Sequence, residues 1–146
     1  MQSKRILFLV LLAYTIGTNG LFANYAFKKK VKSVCKSYRL TVESTQLSLD
    51  IDEFSMTLES NRNNFEMVML VGFASAGQAI AHQIQLDFAN AYTPPMVIIS
   101  VEAPVSKGEK NIFMASCTAE QAISLAEGRM DSSQFMQEIM KNMEII

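Results

Sequence analysis

One histidine, His82, and two cysteines, Cys35 and Cys117, are all the chain has of the side chains that most often ligate transition metals or act as thiol nucleophiles. A lone histidine excludes any multi-histidine metal site. Two cysteines are too few for a disulfide framework and wrongly spaced for zinc. A Cys-His pair would need Cys35 or Cys117 to meet His82 in space, and nothing in the spacing brings them together. Asn-x-Ser/Thr acceptors are absent. Acids are missing from residues 1–42, which carry eight Lys or Arg. Residues 43–146 hold five basic residues against all 14 acids, a balance of −9. An acidic body argues against nucleic acid as its ligand.

The clusters that are present do not make good the lack. Asp50, Asp52 and Glu53 form the densest acidic group, but the position a calcium loop reserves for glycine is Ser55, inside a predicted strand. Lys107, Gly108 and Lys110 lack the glycine pattern of a phosphate cradle. The sequence therefore assigns no catalytic, cofactor-binding or metal-ligating residue, and reads as a non-enzyme. For Cys35 and Cys117 it leaves a single bridge in an exported chain, or two unlinked thiols.

The start of the chain is built like an export signal. Met1 to Arg5 are basic, Ile6 to Ile16 give an apolar run of 11 residues, and Gly17, Thr18, Asn19 and Gly20 follow. These are n, h and c regions, with cleavage after Gly20 or Ala23. A rival reading is an uncleaved anchor from Ile6 to Phe27, long enough to span a bilayer; an organelle presequence is a third, weakened by scarce arginine. The division expected is a signal peptide or membrane anchor over 1–23, a basic linker over 24–37 and a single α+β domain over 38–146. Export to the periplasm or extracellular space is the expected localisation, with single-pass anchoring, and membrane contact through residues 6–27, as its alternative. Lys28, Lys29, Lys30 and Lys32 outnumber Lys4 and Arg5, so the positive-inside tendency opposes simple export. In the anchored case the cations from Lys28 to Arg39 would face anionic lipid.

The segment from Asn63 to Tyr92 has helical period, with Phe65, Met69, Phe73, Gly77, Ile80, Ile84, Phe88 and Ala91 on one stripe. Asn63 with Glu66 resembles a capping box, and Pro94 and Pro95 bar continuation. Between Met67 and Ala81 only Ser75 and Gln78 are polar, so this half should be covered on more than one side, with Met67, Val68, Met69, Leu70, Val71, Phe73 and Ile80 interior. Gly72 and Gly77 each cost about 1 kcal/mol of helix propensity. With Ala74, Ala76, Ala79 and Ala81 they predict a neighbour lying almost against the helix backbone. The apolar run is too short for a second membrane span.

Alternating residues predict strands around it. Tyr38, Leu40 and Val42 share one parity, Leu47, Leu49 and Ile51 the other, and Phe54, Met56 and Leu58 the first again. Turns or bulges fall at Ser44 to Gln46 and at Asp52-Glu53, as either a long bulged hairpin or a three-stranded meander. Met96 to Val101, broken by Pro104, and Asn111 to Cys117 form a second hairpin. Thr118 with Gln121 opens a short helix that Gly128 closes, and Asp131 or Ser132 caps a last helix. The fold class is α+β: an antiparallel sheet of four to five strands packed on a long central helix, with two C-terminal helices, after an N-terminal hydrophobic targeting or anchor segment.

That element order resembles the two-layer sandwich of type III secretion chaperones, a likeness of topology that implies protein binding. The expected function is a non-enzymatic, envelope-targeted protein-binding or structural component. Its partner, another protein, would meet the sheet edge, the long helix or the C-terminal face of Phe135, Met136, Ile139, Met140 and Met143, where flexible thioethers suit an adaptable groove. The alternative is a carrier of a small molecule or lipid, with its pocket between sheet and central helix.

Overall fold

The computed structural model describes residues 21–87 and 89–146. The signal or anchor expected over residues 1–20, and Phe88 of the helical stripe, lie outside them. Helix α1 occupies residues 21–37. A 3-10 turn at Ser44–Gln46 leads into β1 (Leu47–Leu49) and β2 (Glu53–Glu59), and α2 (Phe65–Leu86) then crosses to β3 (Met96–Ser106). β4 (Glu109–Thr118), α3 (Ala119–Ala126), α4 (Ser132–Met140) and β5 (Glu144–Ile145) complete the chain. The class is α+β, with a five-stranded mixed sheet in the order β1-β2-β3-β4-β5.

The expected antiparallel sheet is corrected at one seam. β2 and β3 run parallel, from Glu53 opposite Met96 to Glu59 opposite Glu102. α2 carries the chain back along the sheet before β3 begins, and a strand entered from the same end as its neighbour must be parallel to it. The other three neighbouring pairs are antiparallel.

The second correction is α1. Residues 24–37, expected to be a basic linker, are helical, and Ala23, Phe27, Val31, Val34 and Cys35 are buried at helical spacing. The Phe27 ring meets Phe54 of β2 at 4.9 Å and Tyr92 at 4.8 Å, both edge to face. An anchor running through to Phe27 conflicts with that packing, since Ala23 and Phe27 belong to the protein core. Tyr38 to Val42, expected as a strand, form the turn and extended connection out of α1.

α2 is long and apolar enough to cross a membrane by length and composition, but 61% of its most apolar window is buried inside the protein. Val68, Met69, Val71, Phe73, Ala76, Ala79 and Ile80 are interior. Both glycines mark close approach. A Cβ on Gly72 would lie 2.9 Å from Ile99 Cγ2 and 3.0 Å from Leu58 Cδ1, so the helix rests directly on β2 and β3. A Cβ on Gly77 would lie 2.0 Å from the Ala122 carbonyl oxygen, so α3 crosses α2 backbone to backbone.

The ends of α2 differ from expectation. Asn64, not Asn63, is the N-cap residue, and its Oδ1 accepts from the Asn61 amide at 2.8 Å rather than from the helix. The C-terminus falls at Asp87 in the left-handed region, φ 50°, well before Pro94. Near it Ile84 is exposed and Gln83 is wholly buried, reversing the stripe. The reason is polar: Gln83 Nε2 donates to the Ala23 carbonyl at 2.9 Å and its Oε1 accepts from the Tyr92 amide at 3.0 Å, tying α1 and the following loop to α2.

Along the strands alternate residues face the helices: Phe54, Met56 and Leu58, then Val97, Ile99 and Val101, then Ala115 and Cys117. The opposite parity, with Ser48, Ser55, Thr57, Ile98, Ser100, Met114 and Ser116, is half-buried or exposed. β3 continues through Pro104, where a break was expected. Pairing with β2 ends at Glu102, so no donor toward that side is needed at Pro104, and the β4 register shifts between Pro104 and Ser106. The Thr118/Gln121 capping box is formed, Gly128 follows α3 at φ 74°, and Asp131 caps α4 by accepting from the Ser133 amide at 3.1 Å.

Candidate functional site

The expected partner face at the C-terminus is corrected by packing. Phe135, Met136 and Ile139 are buried, and the Phe135 ring stands edge-on to Phe73 at 5.1 Å. Met143 is half-buried, and only Met140, 49% exposed, looks outward. α4 uses its apolar face to roof the core, packing on Phe73 of α2.

Beyond the short edge strands, the flanks of β2 and β4 are capped. Outside β2, Gln46 Nε2 donates to the Thr57 carbonyl at 2.8 Å. Outside β4, the Asn142 side chain accepts from the Ser116 amide and donates to its carbonyl, both at 3.1 Å, and Ile146 exchanges backbone hydrogen bonds with Ile112. The edge strands themselves are only three and two residues long, which limits how far an added strand could pair with them.

The cysteines are not bridged. Both are free and buried, Cys35 on α1 beside Ser75 and Cys117 on β4 beside the Ala122 amide. Burial raises the Cys35 thiol above its ordinary value, against the pull of Ser75. It pushes Cys117 from 9.0 up to about 12, against a backbone hydrogen bond from Ala122. Neither is a thiolate nucleophile near neutral pH. Tyr92 is raised too, by burial first and then by the charges of Asp50 and Glu53. Its hydroxyl donates to the Asp50 carbonyl at 2.7 Å and to that of Glu53 at 3.2 Å, pinning the β1–β2 turn that holds the acidic cluster.

A pH dependence follows from Cys117. Below pH 9 folded and unfolded chains both hold the proton, so the stability tied to the neutral thiol is whole. As pH rises toward 12 the unfolded thiol ionises first and that stability is lost, at about 1.4 kcal/mol per pH unit. Cys117→Ala is expected to flatten the fall of unfolding free energy between pH 9 and 11 by about that slope in urea titrations. An unchanged slope would mean that Cys117 ionises in the folded protein.

What stays open is the outer side of α2. Met67, Leu70, Ala74, Gln78, Ala81, His82 and Gln85 recur every three or four residues and form the floor of a groove walled by α1 and by the end of α3. One cleft of about 270 Å³ lies among Tyr38, Met67, Leu70, Ala74 and Leu125. A second, about 200 Å³, lies among Lys30, Ala81, His82, Gln85 and Glu127. They share Gln78 and Ala126 and so lie end to end along the helix. From Met67 to Gln85 the floor spans about 27 Å at 1.5 Å per residue. Its first end is apolar, with Met67 51% and Tyr38 55% exposed. Its second end is polar, and there the Nδ1 of His82 is buried without a hydrogen-bond partner. Among the described residues, neither cysteine pairs with His82, and no group of three or more His, Cys, Asp or Glu is arranged to hold a metal ion.

Sequence reasoning missed Tyr38 and Lys30 as groove walls, having placed one in a strand and the other in a linker. The signal was present in Ala23, Phe27, Val31 and Val34, spaced as one face of a helix. Compared with family models, curated proteins and solved structures, the chain shows no significant match. The likeness to type III secretion chaperones thus rests on element order alone.

Proposed function

We propose that the protein is a non-enzymatic, envelope-directed binding module that holds a segment of another protein in the groove on the outer side of α2. The supporting observation is the graded lining: exposed apolar side chains at one end, and Lys30 and His82 at the other. An amphipathic segment would set an apolar anchor against Met67, Leu70 and Tyr38 and an acidic or amide side chain against Lys30 and His82. The short edge strands and the inward-facing α4 favour this groove over the sheet edge and the C-terminal face. The close rest of Gly72 on Ile99 and Leu58 argues against a carrier pocket between sheet and helix. Export with cleavage after Gly20 is compatible with an intact α1. Cleavage after Ala23 would remove the carbonyl that Gln83 holds.

A photo-crosslinking side chain at position 67 is expected to give one discrete adduct in cells, lost when Ala74→Arg fills the groove. The same probe at Thr57, on the open face of the sheet, serves as the control. Adducts as strong at Thr57, or insensitive to Ala74→Arg, would reject the groove.

A further inference from the structure

The outer crest of α1 has a composition that the groove does not explain. Leu21, Phe22 and Tyr25 are 71%, 57% and 64% exposed at its beginning, and Lys29, Lys36 and Arg39 are exposed further on. Lys28, Lys30 and Lys32 flank them, half-buried. Among the described residues none of these six cations is in an ion pair; Lys32 bonds to the Ser44 hydroxyl. The rest of the molecule carries the opposite charge, −9 over residues 43–146. A protein rich in carboxylates therefore keeps its largest group of cations unneutralised on α1 and the turn that follows it, with Lys30 alone toward the groove.

We infer that α1 lies flat on an anionic phospholipid surface, with Leu21, Phe22 and Tyr25 entering the interface and the lysines meeting the headgroups. Three observations agree on this occupant. Exposed aromatics at one end and lysines along the remainder are the distribution an interfacial helix needs, since ring faces sit at headgroup level and lysine stems extend toward phosphate. The inward stripe, Ala23, Phe27, Val31 and Val34, is committed to the core, so α1 can lie on a bilayer but cannot span it. The crest is also continuous in sequence with the apolar run from Ile6 to Ile16, which brings any uncleaved chain to a membrane at this end. The acidic body would be repelled by the same surface, which fixes orientation: α1 toward lipid, remainder away.

The test is partitioning of the full chain onto vesicles of phosphatidylcholine alone and of phosphatidylcholine with phosphatidylglycerol, at low and high salt. The wild-type chain is expected to prefer the anionic vesicles and to lose that preference in high salt. The variant K28Q/K29Q/K36Q should reduce partitioning onto them by about a hundredfold, from about fivefold per charge. Its thermal unfolding should be nearly unchanged, since none of the three is among the buried core residues. Tyr25→Ser should weaken what binding persists at high salt. Equal partitioning onto both vesicle types, or anionic binding that the triple variant leaves intact, would overturn the inference. So would binding to heparin without binding to anionic vesicles, which would make the crest a general polyanion site.

Discussion

Replacing Phe135 with alanine is expected to lower the unfolding free energy by about 3–5 kcal/mol, read by urea denaturation followed by circular dichroism. Phe135 is fully buried and stands edge-on to Phe73, itself fully buried on α2, so truncation removes an aromatic pair as well as apolar area. α4 is only nine residues long, and the Asp131 cap, worth about 1 kcal/mol, cannot hold so short a helix without its anchor. One helical turn and a little more away, Met140 looks into solvent, and Met140→Ala should change stability by less than about 0.5 kcal/mol. The contrast separates the two readings of the C-terminal helix. If Phe135→Ala left stability intact while disrupting an interaction, the apolar face of α4 would be a docking surface after all. A large loss of stability with wild-type-like secondary structure elsewhere is the outcome that roofing the core requires.

The same contrast shows what the sequence could reveal. Amphipathic spacing identifies the apolar face of α4 but not what covers it: a core-facing stripe and a partner-facing stripe are written with the same residues. Only the distance from Phe135 to Phe73, across 62 residues of chain, distinguishes them. Local chemistry was legible for the same reason in reverse. The Thr118/Gln121 box, Gly128 and the Asp131 cap are decided within four residues of themselves, and all three stand where the sequence puts them. The parallel seam between β2 and β3 was hidden because alternation gives strand faces and not directions. β3 reads as a β-branched run in sequence, whereas in the sheet its alternate residues Val97, Ile99 and Val101 are buried and those between them half-buried.

α1 was missed through a conflict between charge and spacing. Six cations in 12 residues suggest a solvated linker, yet Ala23, Phe27, Val31 and Val34 carry enough apolar area, with Gln83 holding the Ala23 carbonyl, to keep the helix docked. The groove depended on that helix and was invisible without it, because Tyr38 and Lys30 are brought beside Gln78 only by tertiary packing. For α2 the reading was better: a segment apolar all round, with two glycines, does lie between a sheet and other helices. It failed at Met67 and Ile84, both exposed, where the helix extends past its cover.

Gly77→Ala should be the most damaging small substitution in the chain, because its added carbon meets backbone. The new Cβ would stand 2.0 Å from the Ala122 carbonyl oxygen and 2.5 Å from its carbon, and a carbonyl in the second turn of a capped helix has no rotamer with which to yield. α3 would have to move off α2 by more than an ångström, which breaks the packing of Ala122, itself fully buried. Overpacking ordinarily costs 1–3 kcal/mol, and here the displaced group is a whole helix, while alanine recovers about 1 kcal/mol of helix propensity. The expected net loss is about 2–4 kcal/mol by urea denaturation. Gly72→Ala tests the reasoning with the same chemistry five residues earlier. Its Cβ would meet side chains rather than backbone, the Ile99 branch methyl at 2.9 Å and Leu58 Cδ1 at 3.0 Å, which yield by small shifts where a carbonyl cannot, so with the propensity gain the net loss should be only about 1 kcal/mol. Equal effects at the two glycines would show that α3 does not cross α2 at Gly77. The wall that the end of α3 gives to the groove would then be misplaced along with it.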